Sequence, residues 1–211
     1  MNKIELESDL AREIVEKYNA LLPKERIIGD LHFFDENIIV YEQRPFNSVE
    51  EMNAFIIAQW NSETKERDTV WVLGDFFDFN NCTKEDVFEI LDQLNGNIIL
   101  IAGNHDISHL DWYREYGIEV IEYPILKDGF WILSHEPQYV TVAAPYANIF
   151  AHVHTNEMYK DVSARALCVS AERLNYKPLL FDEAKLRVVE YNRKVKENKK
   201  VVEVNLDDSD D

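Results

Sequence analysis

Cysteine is scarce in this chain: Cys82 and Cys168 are the only two in 211 residues, with no pairing pattern and no C-x-x-C motif. A disulfide framework and a cysteine zinc site are thereby excluded, and two reduced thiols fit a cytoplasmic protein. Glycine and proline number six each and nowhere gather into a linker, so nothing marks a domain boundary. No stretch approaches the roughly 20 apolar residues of a membrane span. Met1 to Leu22 mixes acids with bases where a secretory leader would be continuously apolar. Positive charge is the other shortage. Lys and Arg total 22 against 40 Asp and Glu, a formal charge of −18. The stretch from Glu197 onward supplies −4 of this and leaves −14 on the body. Such a field opposes extended nucleic acid, whose binding depends on cations that neutralise phosphates, although one local cationic site can still hold one phosphate.

What is present is enough for a packed interior: 46% hydrophobic and 12% aromatic residues, sufficient for one compact α/β domain. Helical spacing is read in Leu10, Ile14, Tyr18 and Leu21, stopped by Pro23. It recurs from the capping box Ser48/Glu51 to about Asn61, and from Thr83/Asp86 to Leu94 before Asn95-Gly96. A weaker helix covers about His109 to Tyr116, and a last one begins near Asp182, with Ala184, Val188, Tyr191 and Val195 on one face. Between them lie strand-length apolar runs: Ile27-Ile28, Val70 to Leu73, Ile98 to Ala102, Phe130 to Leu133, Ile149 to Ala151 and Ala166 to Val169. Runs without polar alternation suit strands buried on both faces. Residues 1–26 are expected to form a helical extension packed on a domain of residues 27–200, and residues 201–211 an acidic, unstructured tail.

Every run but the last leads directly into metal-binding residue types. They are Asp30 and His32, Asp75 and Asp78, Asn104 to Asp106, His135, and His152 with His154, so five of the six histidines fall there. In a layered α/β domain, ligands collect beyond the carboxyl ends of strands, so the five loops are expected to converge on one crevice. Gly29, Gly74 and Gly103 each directly precede the first polar residue, where the backbone must turn or approach a neighbour closely. Taken singly, Asp-x-His also reads as a surface pair and Gly-Asn-His-Asp as a turn. Their combination in this order is what is specific.

The blocks Gly29-Asp30-Leu31-His32, Gly74-Asp75-Phe76-Phe77-Asp78, Gly103-Asn104-His105-Asp106, His135 and His152-Val153-His154 resemble the calcineurin-like metallophosphoesterases, in particular small bacterial and phage-type members. Arg44-Pro45-Phe46 and Asn175-Tyr176-Lys177-Pro178 look similar to theirs too. The resemblance implies a four-layer αββα sandwich of two mixed sheets flanked by helices. It implies two divalent ions, Mn, Fe, Zn or Ni, one on Asp30, His32 and His154 and the other on Asn104, His135 and His152, with Asp75 bridging. It further implies in-line attack of metal-activated hydroxide on a phosphate ester, His105 beside the leaving oxygen, and Asp106 orienting His105. Ala151 departs from the family pattern, which has Gly there; its methyl is tolerable only if that backbone does not need positive φ.

The plainer readings stand beside these. Asp78 is expected to be a structural acid and His109 a surface residue at a helix start. Arg44 is a candidate for holding a substrate phosphate, against the bland reading of a solvated arginine. Phe76, Phe77 and Phe79 are candidates for a pocket wall. The expected substrate is a small phosphomonoester or phosphodiester, with nuclease action on short ends as an alternative, and a catalytically silent interaction scaffold as the reading from another class. The N-terminal helix would cover a sheet edge or form a homodimer contact.

Overall fold

The computed structural model describes residues 11–15, 17–19, 21–141, 143–156 and 165–207. Four parallel strands, β1 (Glu25–Ile28), β2 (Thr69–Val72), β3 (Asn97–Ile101) and β4 (Glu119–Ile121), form one sheet. The antiparallel β9 (Leu179–Leu180) closes its far edge beside β1, giving the order β4-β3-β2-β1-β9. The second sheet runs β5 (Ile125–Lys127), β6 (Trp131–Leu133), β7 (Ala147–Phe150), β8 (Ala166–Cys168), antiparallel only at β5. Ile27, Ile28, Val70 and Val72 from the first sheet share a buried cluster with Leu133, Ala147 and Ile149 from the second. The architecture is the expected αββα sandwich.

The helices flank it: α1 (Glu36–Tyr41), α2 (Val49–Glu63), α3 (Lys84–Leu91), α4 (Leu110–Tyr116) and α5 (Phe181–Asp207). Thr83 and Asp86 cap α3 reciprocally, as their spacing predicts. Ser48 Oγ receives the Glu51 N–H, but Glu51 turns its carboxylate to Asn47, so the expected box at α2 is half made. Asp35 caps α1 by accepting from Asn37 and Ile38 N–H.

Six strands match the apolar runs. The ones missed, β4, β5 and β9, have three, three and two residues, of which only Leu179 is buried, so they offer no buried apolar run to register. At the N-terminus, residues 11–15 and 17–19 are helical, and Leu10 lies outside the described residues. Ile14, Tyr18 and Leu21 are 58, 62 and 78% exposed, so the expected packing of that face on the domain is not found among the described residues. At the other end α5 continues to Asp207, through most of the expected tail. Asp208, Asp210 and Asp211 lie outside the described residues.

The parallel strands bring their carboxyl ends together, and hydrogen bonds join the two sheets there. Gly29 N–H donates to Val169 O at 3.0 Å, and the His135 ring donates to Leu73 O at 2.8 Å. Gly29 and Ala151 fit as a pair at this seam. A Cβ on Gly29 would stand 2.5 Å from Ala151 Cβ, so the seam has room for one methyl and Ala151 carries it. Ala151 is absent from the positive-φ residues, which removes the steric objection to alanine at that position.

Candidate metal centre

The five loops converge. Asp30, His32 and His154 each offer a ligand atom within 4.8 Å of the others, and so do Asp75, His135 and His152. Asn104 joins the second group, its Oδ1 3.0 Å from His135 Nε2. Asp75 lies between the groups: Oδ2 is 3.3 Å from His135 Nε2 and 3.7 Å from His32 Nε2. The backbone is bent to achieve this. Asp30, His32, Asp75, His152 and His154 all have φ between 45° and 70°, a left-handed conformation costing of order 1–3 kcal/mol per residue that persists where surrounding structure enforces it. Gly103 makes the convergence sterically feasible, because a Cβ there would lie 2.2 Å from Asp75 Oδ1 and 2.6 Å from Asp75 N.

Three imidazoles are held through Nδ1. His135 donates to Leu73 O, His32 pairs with Asp35 Oδ2 at 3.2 Å, and His154 with Glu172 Oε1 at 3.1 Å. A carbonyl or carboxylate can only accept, so each Nδ1 carries a proton and each Nε2 is the atom left for the centre, where a ligating imidazole gives up any proton it holds there. Both Asp30 Oδ2 and His32 Nε2 are buried without a hydrogen-bond partner. Two adjacent unpartnered acceptors in a carboxylate and imidazole set fit a divalent cation of the zinc, manganese, iron or nickel kind.

Electrostatics bind the groups to one another. For His135, burial disfavours the imidazolium, but the hydrogen bond and charge of Asp75, with Asp30 and Leu73 O, outweigh it and raise the pKa to about 9. For Asp75, burial pushes upward and His135 and His32 overcome it, holding the carboxyl well below its usual range. Glu172, although buried, is lowered to about 2 by His154 and Arg44. His154 is raised despite burial, chiefly through Glu172.

Several side chains depart from expectation. Arg44 is not exposed to a substrate. It is 4% exposed, and its donors meet Asp30 O, Leu31 O, Met52 Sδ and Glu172 Oε1. With every N–H committed beneath the Asp30 loop, none is left for a phosphate. Asp106 does not reach His105. Its two oxygens accept from Gly103, Asp75 and Phe76 N–H and from Tyr113 O–H at 2.6 Å, so it ties together two of the ligand loops. His105 is exposed, its N–H on Asp75 Oδ1 at 2.9 Å and its ring centroid 5.0 Å from that of His32. Phe76 and Phe77 form no pocket wall, being fully buried in the core. Phe79 stacks on His109 at 4.3 Å. Asp78 organises its own loop by accepting from Asn80 and Asn81.

Asp35, Tyr113 and Glu172 were missed, because none stands in a ligand block. Asp35, three residues after His32, had a local signal in its capping position, whereas Glu172 is brought to His154 from 18 residues away and had none.

Comparison with known proteins agrees with this geometry. The model of the calcineurin-like phosphoesterase family matches residues 26–202. An uncharacterized protein of Methanocaldococcus jannaschii is 35% identical over 162 residues, covering 74% of this chain and 86% of that one. The crystal structure of a protein of unknown function from Aquifex aeolicus superposes with a TM-score of 0.61 at 28% identity, over 77% of this chain and 98% of that one. A nuclease of Pseudomonas putida aligns over 62% of this chain and 60% of that one at 22% identity and a TM-score of 0.43, a distance at which likeness carries no functional argument. With the family's model spanning the sheets and all five converging loops, this chain belongs to the calcineurin-like phosphoesterases.

Proposed function

We propose that the chain hydrolyses a phosphate ester at two divalent cations, one held by Asp30, His32 and His154, the other by Asn104, His135 and His152, with Asp75 shared. The observation that carries this reading is the unpartnered pair Asp30 Oδ2 and His32 Nε2. Dry polar atoms of this kind cost about 1–3 kcal/mol each unless something meets them. When bound, such cations clamp a phosphate and bring the pKa of water near neutrality. The protein's own part is to orient His32 and His154 toward one cation and His135 toward the other by their Nδ1 partners, and to keep Asp75 ionised. His105 reaches solvent while its backbone is pinned to Asp75, which suits it to protonating the leaving oxygen.

A small diffusible ester is the preferred substrate class, since the body charge of −14 opposes a polyanion. The free cysteines Cys82 and Cys168 support a cytoplasmic setting. Among the described residues no helix is long and apolar enough to cross a membrane.

The test is metal analysis with turnover of bis(p-nitrophenyl) phosphate and p-nitrophenyl phosphate after loading with Mn, Ni or Zn. Two metal ions per chain and metal-dependent turnover are expected. Stoichiometric metal without turnover of either ester would favour the silent scaffold, and failure to take up metal would sink the centre itself.

A further inference from the structure

Two cavities open on the proposed centre, and neither is lined by a lysine or arginine among the described residues. The first, of about 260 Å³, begins at Asn104 and His135 and is otherwise walled by Ile101, Ala102, Ile107, Tyr123, Pro124 and the carboxylates Glu122 and Glu136. The second, of about 540 Å³, begins at His152 and His154 and carries Glu42 and again Glu136. Glu136 therefore overlooks both.

The cations nearby point elsewhere. Arg44 is consumed inside the protein, and Arg173 donates to His154 O and Asn156 O. Arg114, beyond the first cavity, is held by Glu122 at 2.5 Å. The rim adds apolar and aromatic surface in place of charge, with Ile107 57% and Tyr123 76% exposed.

Resting on the phosphoesterase reading above, we infer that the group esterified to the scissile phosphate carries no further negative charge: the site takes phosphodiesters whose second substituent is an uncharged or cationic organic group with an apolar or aromatic body, and rejects those bearing another phosphate. The first cavity, at about 260 Å³, falls just below the roughly 300–1,000 Å³ typical of ligand pockets, enough for about one ring system. A substituent seated there meets Ile107, Tyr123 and Pro124. An added phosphate meets Glu136, and Glu122 whose charge Arg114 partly offsets, with no lysine or arginine lining the cavity among the described residues, and one like-charge contact at about 4 Å corresponds to about tenfold in rate.

The experiment uses the metal-loaded full chain and thymidine 5′-(p-nitrophenyl phosphate), with and without a 3′-phosphate, at low and high ionic strength. At low salt the 3′-phosphate is expected to lower kcat/KM about tenfold or more, and added salt to shrink the difference. p-Nitrophenyl phosphorylcholine, with its cationic head, is expected to be hydrolysed without such a deficit. Glu136→Lys should narrow the gap chiefly by raising kcat/KM for the phosphorylated probe. Equal or faster hydrolysis of the phosphorylated probe at low salt would overturn the inference and leave the phosphoesterase reading intact. Hydrolysis of none of the probes, nor of bis(p-nitrophenyl) phosphate, by protein that holds its metal would overturn that reading and this inference with it.

Discussion

The two halves of the centre are built differently. Around Asp30, His32 and His154 the surroundings are mostly enclosed: Asp30 is fully buried, His32 nearly so, His154 half-buried at the edge of the second cavity, and the two imidazoles lean on carboxylates, Asp35 and Glu172. Arg44 adds a further layer, joining Glu172 to the backbone of the Asp30 loop. Around Asn104, His135 and His152 the surroundings are open. Asn104 and His152 are exposed, and His135 leans on the neutral carbonyl of Leu73. Carboxylate partners raise the basicity of a ligating imidazole and fix its orientation, so the enclosed half is equipped to hold a metal tightly. The open half, beside the first cavity and the exposed His105, is equipped to admit substrate. Titration of the metal-free chain should accordingly show two classes of site.

The substitution that breaks this comparison most severely is Asp75→Ala. It removes the carboxylate whose Oδ2 faces His32 in one half and His135 in the other, and metal-dependent activity should fall at least a thousandfold, with loss of metal from both. Metal analysis alongside kinetics checks this; retention of both ions would deny Asp75 its shared position. Next comes His105→Ala, for which turnover should fall about a hundredfold, within the range of general acid catalysis, while metal content stays intact. Equal metal loss in the two variants would erase the distinction between holding metal and moving a proton.

Glu172→Gln tests the enclosed half alone. The carboxamide can still accept from His154, but it removes the negative charge that pairs with Arg44 and raises His154. Metal affinity should fall about 10–100-fold at one class of site, leaving the weaker class unchanged in a competitive chelator titration. If both classes weaken alike, the halves are not independently supported.

How far all this could be read from sequence follows the range over which each cause acts. The ligands were legible because strand ends juxtapose residues that stand within a few positions of an apolar run, as with Ile27-Ile28 before Asp30 and Ile149-Phe150 before His152. The supports were not, because Glu172, Arg44 and Tyr113 act across 18, 128 and 7 residues on partners that share no motif with them. Arg44 shows the cost of that blindness: an arginine among motif-like neighbours reads as a phosphate ligand, and only the surrounding acceptors show it to be a buried brace. Asp106 is similar. Adjacency to His105 suggested pairing, whereas the fold turns its carboxylate inward to three backbone N–H groups. In the first sheet, long buried strands announced themselves and the short β4 and β9 did not.

The smallest effect separates the halves by pH in the metal-free chain. Glu172, in the enclosed half, has its pKa lowered from 4.5 to about 2, so its contribution to stability is present above about 4.5 and is lost as pH falls through about 2. His135, in the open half, is raised from 6.5 to about 9; its contribution is present below about 6.5 and is lost as pH rises through about 9. His154 shifts upward as well and adds to the alkaline slope. Thermal unfolding of the metal-free protein should therefore have its plateau between about pH 4.5 and 6.5, with Tm falling by several degrees on either side. Glu172→Gln should flatten the acid limb, and His135→Gln should flatten the alkaline limb in part. Metal should reverse the alkaline trend, because a ligating imidazole must be neutral and metal affinity rises as protons leave, so the Tm gap between loaded and metal-free protein should widen from pH 6.5 to 9. A gap that narrows over that range would mean that His135 does not exchange its proton for a metal ion.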